Sequence, residues 1–231
     1  MALLVLSAHF IKYEIAMTIL LNEKQYSVSD RYHLQVERIN AGQTIKLDQD
    51  RSIYFVLAMN ASLQTSIKAS GTFAACISPD GENTVSGDAV VITVPGLQRS
   101  QQTVSSIDPT GVGDLSYIDG CSNSILISPP RNGDPCLNYL YFPEGVDQTF
   151  HTHPSVRIGI IVHGHGMADY YEQGQLKSVP LQQGDWFVLP RHVRHRFSTS
   201  NSPMSIVVFH PDSDDGPVDE HNPMKTRTFL K

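Results

Sequence analysis

Residues 150–166 read FHTHPSVRIGIIVHGHG, which places four histidines and one arginine in seventeen residues that otherwise have the apolar character of a strand. In an extended chain residues i and i+2 point to one face, so His151 and His153 project together while Thr152 points away. The same alternation carries Ser155 and Arg157 onto that face. Two imidazoles preset on one strand are the beginning of a metal site, and a third ligand has to come from elsewhere in the chain.

The surroundings are strand-like throughout. HLQVERI, SIYFVLAM, LQTSIKAS, TFAACIS, AVVITV, SILIS, CLNYLYF, RIGIIVHG, DWFVLP and MSIVVFH are short apolar or alternating runs separated by Gly, Pro, Asn and Asp clusters. No amphipathic helical stretch of a dozen residues stands between them. The fold class is therefore all-β, a sandwich or barrel. With 231 residues at 40% hydrophobic, the chain is long enough for one large β domain or two smaller ones. Residues 99–119, polar and rich in Gly and Ser, read as a connector. The expected division is an extension over residues 1–20, a first half over 21–110 and a second over 120–231.

Composition excludes some partners. A net charge of -6 with 17% charged residues leaves no basic field for nucleic acid and no polybasic membrane contact. Cys76, Cys121 and Cys136 are too few and too scattered for a disulfide framework and form no CxxC pair, so they read as buried thiols in a reducing cytoplasm. The opening MALLVLSAHF lacks the basic flank of a signal peptide, and no apolar run reaches the ~18 residues of a membrane helix.

The two halves can be laid over each other. In the second, Gly145 is followed by five residues, then His151-Thr-His153, then Arg157 and Gly164; in the first, Gly42 is followed by five residues, then Asp48-Gln-Asp50. SIYFVLAM stands where RIGIIVHG stands later, and SGDAVVITVPGLQRS parallels QGDWFVLPRHVRH. This pattern is that of an internal duplication. The first half reads as a copy without its metal, serving packing or dimerisation. Asp48 and Asp50 occupy the histidine positions, Ser100 stands near the place of His195, and Lys46 and Arg51 are at hand to pair with the aspartates.

Gly145-x5-His151-x-His153-x3-Arg157-x6-Gly164, followed by Gly184-Asp185-x4-Pro190-x4-His195, resembles the paired motifs of the cupin superfamily. The match covers residues 137–210 directly and 34–100 weakly. The resemblance implies a double-stranded β-helix, or jelly roll, in two cupin-like halves, with a divalent metal held by the HxH pair, a motif glutamate and the second-motif histidine. His151, His153 and His195 are then the metal ligands. Two positions depart from the pattern. Arg157 stands at the glutamate, and His192 replaces the second-motif glycine.

Arg157 defines the site, since a guanidinium is always charged and has no lone pair to offer a metal. That leaves three neutral imidazoles, a set suited to iron first, and also to Zn, Ni, Mn or Cu. A cation beside such an ion has to be offset by an anion, either a substrate group bound by Arg157 in a catalytic role or a protein carboxylate. Elsewhere, His163, His165, Glu220 and His221 are candidates for the pocket mouth. Trp186 and Phe197 read as core, and Arg194 and Arg196 as surface ion pairs.

The leading expectation is a non-haem dioxygenase acting on a small chelating substrate, anionic where Arg157 binds it, since three ligands leave open positions on the metal. The alternatives are a non-oxidative cupin isomerase, lyase or cyclase, and a ligand-binding cupin without turnover. The expected assembly is a homodimer.

Overall fold

The computed structural model describes residues 20–28, 32–48, 52–79, 81–97, 102–131 and 133–213. Among these the strands form a nine-stranded and a seven-stranded sheet, every pairing antiparallel, with one short 3-10 turn at Ile118–Gly120 and no α-helix. No described helix is long and apolar enough to cross a membrane.

The second half is organised by one long bent strand, Arg157–Glu172. Its first part pairs with Trp186–Leu189 on one side and Met204–His210 on the other, and Met204–His210 pairs in turn with Cys136–Phe142. Its second part pairs with Gln175–Gln182 and His195–Ser198. Between the two parts a bulge at Ile161/His163 adds a residue to one side of the ladder, and side-chain alternation flips there. Ile161 therefore packs inside the barrel before the bend, and Ala168 and Tyr170 after it. Gly164 sits at this corner with φ +71, and a Cβ there would lie 1.8 Å from the Pro203 carbonyl oxygen. Only glycine tolerates both the backbone angle and the approach.

The first half repeats this pairing order with its strands joined differently. Residues 52–58 of Ser52–Gln64 pair with 73–77 of Lys68–Ile77 and with 89–95 of Asn83–Pro95, which also pairs with Gln35–Ile39. Residues 61–64 pair with 68–71 and 84–87, and the latter segment also pairs with Thr44–Leu47. Both halves are thus jelly rolls of the same topology. The order makes residues 73–77 the counterpart of Trp186–Leu189 and 83–87 the counterpart of His195–Ser198. The parallel drawn between SGDAVVITV and QGDWFVLP is therefore displaced by one pair of strands; the shared Gly-Asp turn misleads because it precedes different strands in the two halves.

Three cores result. Each barrel has an apolar interior, and a third core lies between the halves, where Ile53, Phe55, Leu57, Val90 and Ile92 meet Ile158, Ile160, Trp186, Val188, Val207 and Phe209. Phe55 and Phe209 touch across it with ring centroids 5.0 Å apart. Full burial of each such side chain contributes about 1.5–3 kcal/mol, which explains why the strands of both halves read as nearly continuous apolar runs. They are covered on both faces.

The connector is structured. Thr103–Ser106 extends the first sheet through Lys68–Ile77, and Leu115–Ser116 joins Ser122–Ile127 in the second. At the other end of the chain's described part, Leu20–Leu21 pairs with Val188 and Phe187 at the edge of the second sheet. Asn22 fixes this pairing, accepting from the Trp186 amide at 3.0 Å and donating to Asp185 at 2.8 Å.

Candidate metal centre in the second barrel

His151 and His153 lie in the link between Cys136–Phe142 and Arg157–Glu172. His151 is bridged to His195 by two backbone hydrogen bonds of 3.0 and 2.9 Å, and the amide of His192 donates to the His153 carbonyl at 2.7 Å. This ladder holds the two chain segments side by side and brings the three imidazoles together in the barrel. Their ring centroids are 4.4 Å (His151–His195), 5.0 Å (His151–His153) and 5.1 Å (His153–His195) apart. One potential ligand atom from each lies within 4.8 Å of the others, and all three side chains are buried. Ligands at the usual ~2.0–2.1 Å from an ion stand about 3 Å apart, so small ring rotations suffice to close the set.

Two of the rings are already oriented. Nδ1 of His151 is 2.9 Å from the Thr149 carbonyl, and Nδ1 of His195 is 2.9 Å from the Val193 carbonyl. A carbonyl only accepts, so each Nδ1 carries the hydrogen and each Nε2 presents a lone pair, the arrangement that prepares a histidine to ligate. Nε2 of His195 and Nδ1 of His153 are buried without a hydrogen-bond partner. Orphaned buried nitrogens are costly, and an ion at the centre of the three rings would satisfy them.

His192, at the motif-glycine position, has φ +62. The turn has a left-handed backbone here, and histidine is among the residues that adopt it at modest cost. The other motif glycines, Gly145 and Gly184, also have positive φ, +76 and +93.

The histidines line a cavity of about 30 Å³ whose walls are mainly apolar, with Leu140, Phe142, Phe187, Phe197 and Val208 among them. Arg157 enters the same cavity and is only 3% exposed. Its Nη1 donates to the Ser155 hydroxyl at 2.5 Å and to the Ser155 and Val156 carbonyls at 3.2 and 3.1 Å. Burial and the Arg157 charge hold His153 well below the ordinary histidine range, with the neighbouring imidazoles adding to the effect. His195 is lowered by burial, His151 and Arg157. His153 and His195 are therefore held neutral, as ligands must be.

Three cavity residues escaped the sequence reading. His210, the last residue of Met204–His210, lines the cavity, with its Nε2 buried and unpartnered. The signal was present, because Ile206 and Val208 also line the cavity and His210 is the next residue on that face. Tyr117 comes from the supposed connector, its hydroxyl pushed up to about 12 by burial. Gln148 accepts the Phe197 amide at 3.2 Å and donates to Cys121 Sγ at 3.6 Å.

Other expectations fare unevenly. The bulge takes His163 out of register with Arg157; His163 is half-buried and His165 exposed, and neither lines the cavity. Trp186 is core, whereas Phe197 is both core and cavity wall. Arg196 pairs with Asp147 at 2.7 Å and Asp169 at 2.9 Å, while Arg194 lies over the rings of Phe150 and Tyr171. In the first half, Asp48 is exposed rather than inside the barrel, and the interior-facing pair at that end of the strands is Leu47 and Asn83. Lys46 reaches Glu82 at 3.7 Å. Asp50, Arg51, Ser100, Glu220 and His221 lie outside the described residues. Cys76, Cys121 and Cys136 are buried and form no disulfide.

Comparison with known proteins bears on the fold. A family profile for the AraC-like ligand binding domain matches residues 139–215, the barrel that holds the three histidines. Solved structures match across both halves. The chain has the cupin fold. A Cupin 2 conserved barrel domain protein from Leptotrichia buccalis superposes with a TM-score of 0.53 at 12% identity, over 83% of this chain and 88% of the other. An IolB-like protein from Salmonella typhimurium gives 0.58 at 14% identity over 84% and 89%. A salicylate 1,2-dioxygenase variant from Pseudoaminobacter salicylatoxidans, in complex with gentisate, gives 0.56 at 10% identity over 81% and 72%. At such identities the likeness between cupins is one of fold alone. A search of curated protein sequences finds no match.

Proposed function

We propose that the second cupin barrel is the active site of a metal-dependent dioxygenase in which His151, His153 and His195 hold one divalent transition metal, iron first among the candidates. The observation that carries this reading is the convergence of three buried imidazoles, two of them oriented by backbone carbonyls. Such an ion supplies Lewis-acid polarisation and, when it is iron, the one-electron chemistry that O2 requires. The chain's own groups do the rest. Arg157 holds the anionic end of a small chelating substrate, and Phe142, Phe187 and Phe197 keep bulk water from the reacting atoms. The first barrel, with Leu47 and Asn83 facing its interior, serves packing. Buried thiols without a disulfide accord with a reducing cytoplasm, and a homodimer remains part of the proposal.

A second reading, ligand binding without turnover, is favoured by the AraC-like profile over residues 139–215. An oxygen-electrode screen of the iron-loaded protein with small 2-hydroxy acids, 1,3-diketones, thiols and catechol-like compounds separates the two. Uptake that disappears in His195→Ala supports the dioxygenase. Product formation without O2 uptake would assign an isomerase, lyase or cyclase, and saturable binding without product would assign the binding protein.

A further inference from the structure

The cavity that the three histidines share has room for a few atoms only. Its volume is about 30 Å³, and a single water takes roughly 10–15 Å³ on that measure. Of the residues that line it, Tyr117, Leu140 and His210 are half-buried and all the others are buried. These three stand on one side, on the strands Cys136–Phe142 and Met204–His210 and on the connector. The mouth therefore opens toward the outermost strands of the nine-stranded sheet, Ser122–Ile127 and Leu115–Ser116.

The registers carry that face of the sheet outward residue by residue, because paired residues on neighbouring strands share a face. One row runs Ile161, Ile206, Leu140, Asn123, Leu115, and the next runs Phe187, Gly159, Val208, Asn138, Ile125. Ile206, Leu140, Phe187 and Val208 line the cavity. Both rows thus begin in the cavity wall, pass through an asparagine and end on an apolar side chain in solvent. Leu115 and Ile125 are each 52% exposed. Oδ1 of Asn123 and Oδ1 of Asn138 are buried without a hydrogen-bond partner, which leaves two acceptors at the step from cavity to edge.

We propose that these two rows form a shelf for the body of an elongated ligand whose head group alone enters the cavity. The inference rests on the proposed metal site and extends its substrate class to a compact chelating head, an N–H or O–H donor next to it, and an alkyl or aryl tail. Asn123 and Asn138 accept from the donor, and Leu115 and Ile125 cover the tail. Strands stand about 4.8 Å apart, so the two steps from Leu140 to Leu115 span about 10 Å, the length of tail that the shelf covers. Continuity identifies the occupant. The apolar strip is the outer end of the cavity wall itself, and a cavity of this size leaves all but the head of a ligand outside. Leu115 and Ile125 are then specificity-determining residues that select for tail length.

Straight-chain hydroxamates test the shelf, because their head chelates a first-row ion whatever the natural substrate. Zinc-loaded protein is titrated calorimetrically with the series from acetohydroxamate to decanohydroxamate. Affinity should rise about two- to fourfold per added carbon and level off once the tail passes the edge strand. Leu115→Ser combined with Ile125→Ser should flatten that rise, and because both side chains are exposed the fold is spared. Asn123→Ala with Asn138→Ala, which removes both acceptors, should weaken every member about two- to tenfold; unchanged affinities would strike the donor from the proposed class. If acetohydroxamate binds and added carbons gain nothing, the metal reading stands and the shelf is overturned. If no member binds, the metal reading falls and the shelf with it. A flat series in a protein that sediments as a dimer, and as a monomer in the double serine variant, would overturn the proposal by giving the strip to a second copy of the chain.

Discussion

Acid should unfold the metal-free protein at a pH well above the range where carboxylates titrate. His153 and His195 are buried and His210 is half-buried, and each is held well below the ordinary histidine range, first by burial; Arg157 adds to this in all three, and His151 adds to it at His153 and His195. In the unfolded chain the same rings bind protons near the usual ~6.5. Their stabilising contribution is therefore complete above that value and is lost as pH falls below it, because the unfolded state takes up protons that the folded state refuses. Each group approaches a slope of at most about 1.4 kcal/mol per pH unit and loses about 1 kcal/mol over the first unit below the histidine range, so the three together remove about 3 kcal/mol there. Against a typical ~5–15 kcal/mol of total stability, that is a large loss. Urea unfolding in the presence of chelator at pH 7.5, 6.5 and 5.5 reads it directly. Adding Zn2+ should move the loss to lower pH, because protons must then displace the ion. Stability that stays flat or rises between pH 7.5 and 5.5 in the metal-free protein would show that these rings are solvated or already protonated, and would refute the neutral-triad geometry.

Substitutions at three positions probe the frame around the site. Gly164→Ala forces a Cβ to within 1.8 Å of the Pro203 carbonyl at a positive φ; it should cost about 3 kcal/mol or more and lower Tm by roughly 6 °C or more, whereas a Tm within 2 °C of wild type would contradict the corner geometry. His192→Gly should be neutral or slightly stabilising because φ is +62 there, whereas His192→Val should cost about 1–2 kcal/mol; thermal melts of the pair give the sign. Arg157→Glu should tighten metal binding by adding a carboxylate ligand while eliminating binding of an anionic substrate, and Arg157→Ala should keep the metal but weaken that substrate about ten- to a hundredfold. Calorimetric titration with Zn2+ and with a carboxylate reads both effects.

What the sequence made legible was local spacing. The HxH pair and His195 can be read because their relation depends on alternation and on two Gly-marked turns, and the structure brings the three together. Gly145, Gly164 and Gly184 are legible for the same reason, each standing at a positive φ. Alternation fails where the ladder does. His163 drops out of the Arg157 row because a bulge adds a residue after Ile161, and nothing in RIGIIVHG announces it. The duplication is real in topology, but the spacing puts Asp48 one residue past Leu47, the interior-facing position, and the Gly-Asp parallel slips farther on, where the first half runs Lys68–Ile77 as one strand. His210 and Tyr117 belong to the cavity through pairings across the sheet and through the connector's return. Such contacts leave no mark in a window of ten residues.

The most direct measurement is metal content. Protein purified without added metal, then loaded anaerobically with Fe2+ and desalted, should contain close to one ion per chain by elemental analysis. His151→Ala, His153→Ala and His195→Ala should each fall to a small fraction of that value while keeping a cooperative thermal transition. Loading that survives all three substitutions, or a wild-type protein that retains no first-row ion under any loading condition, would contradict the assignment of these histidines as a metal centre.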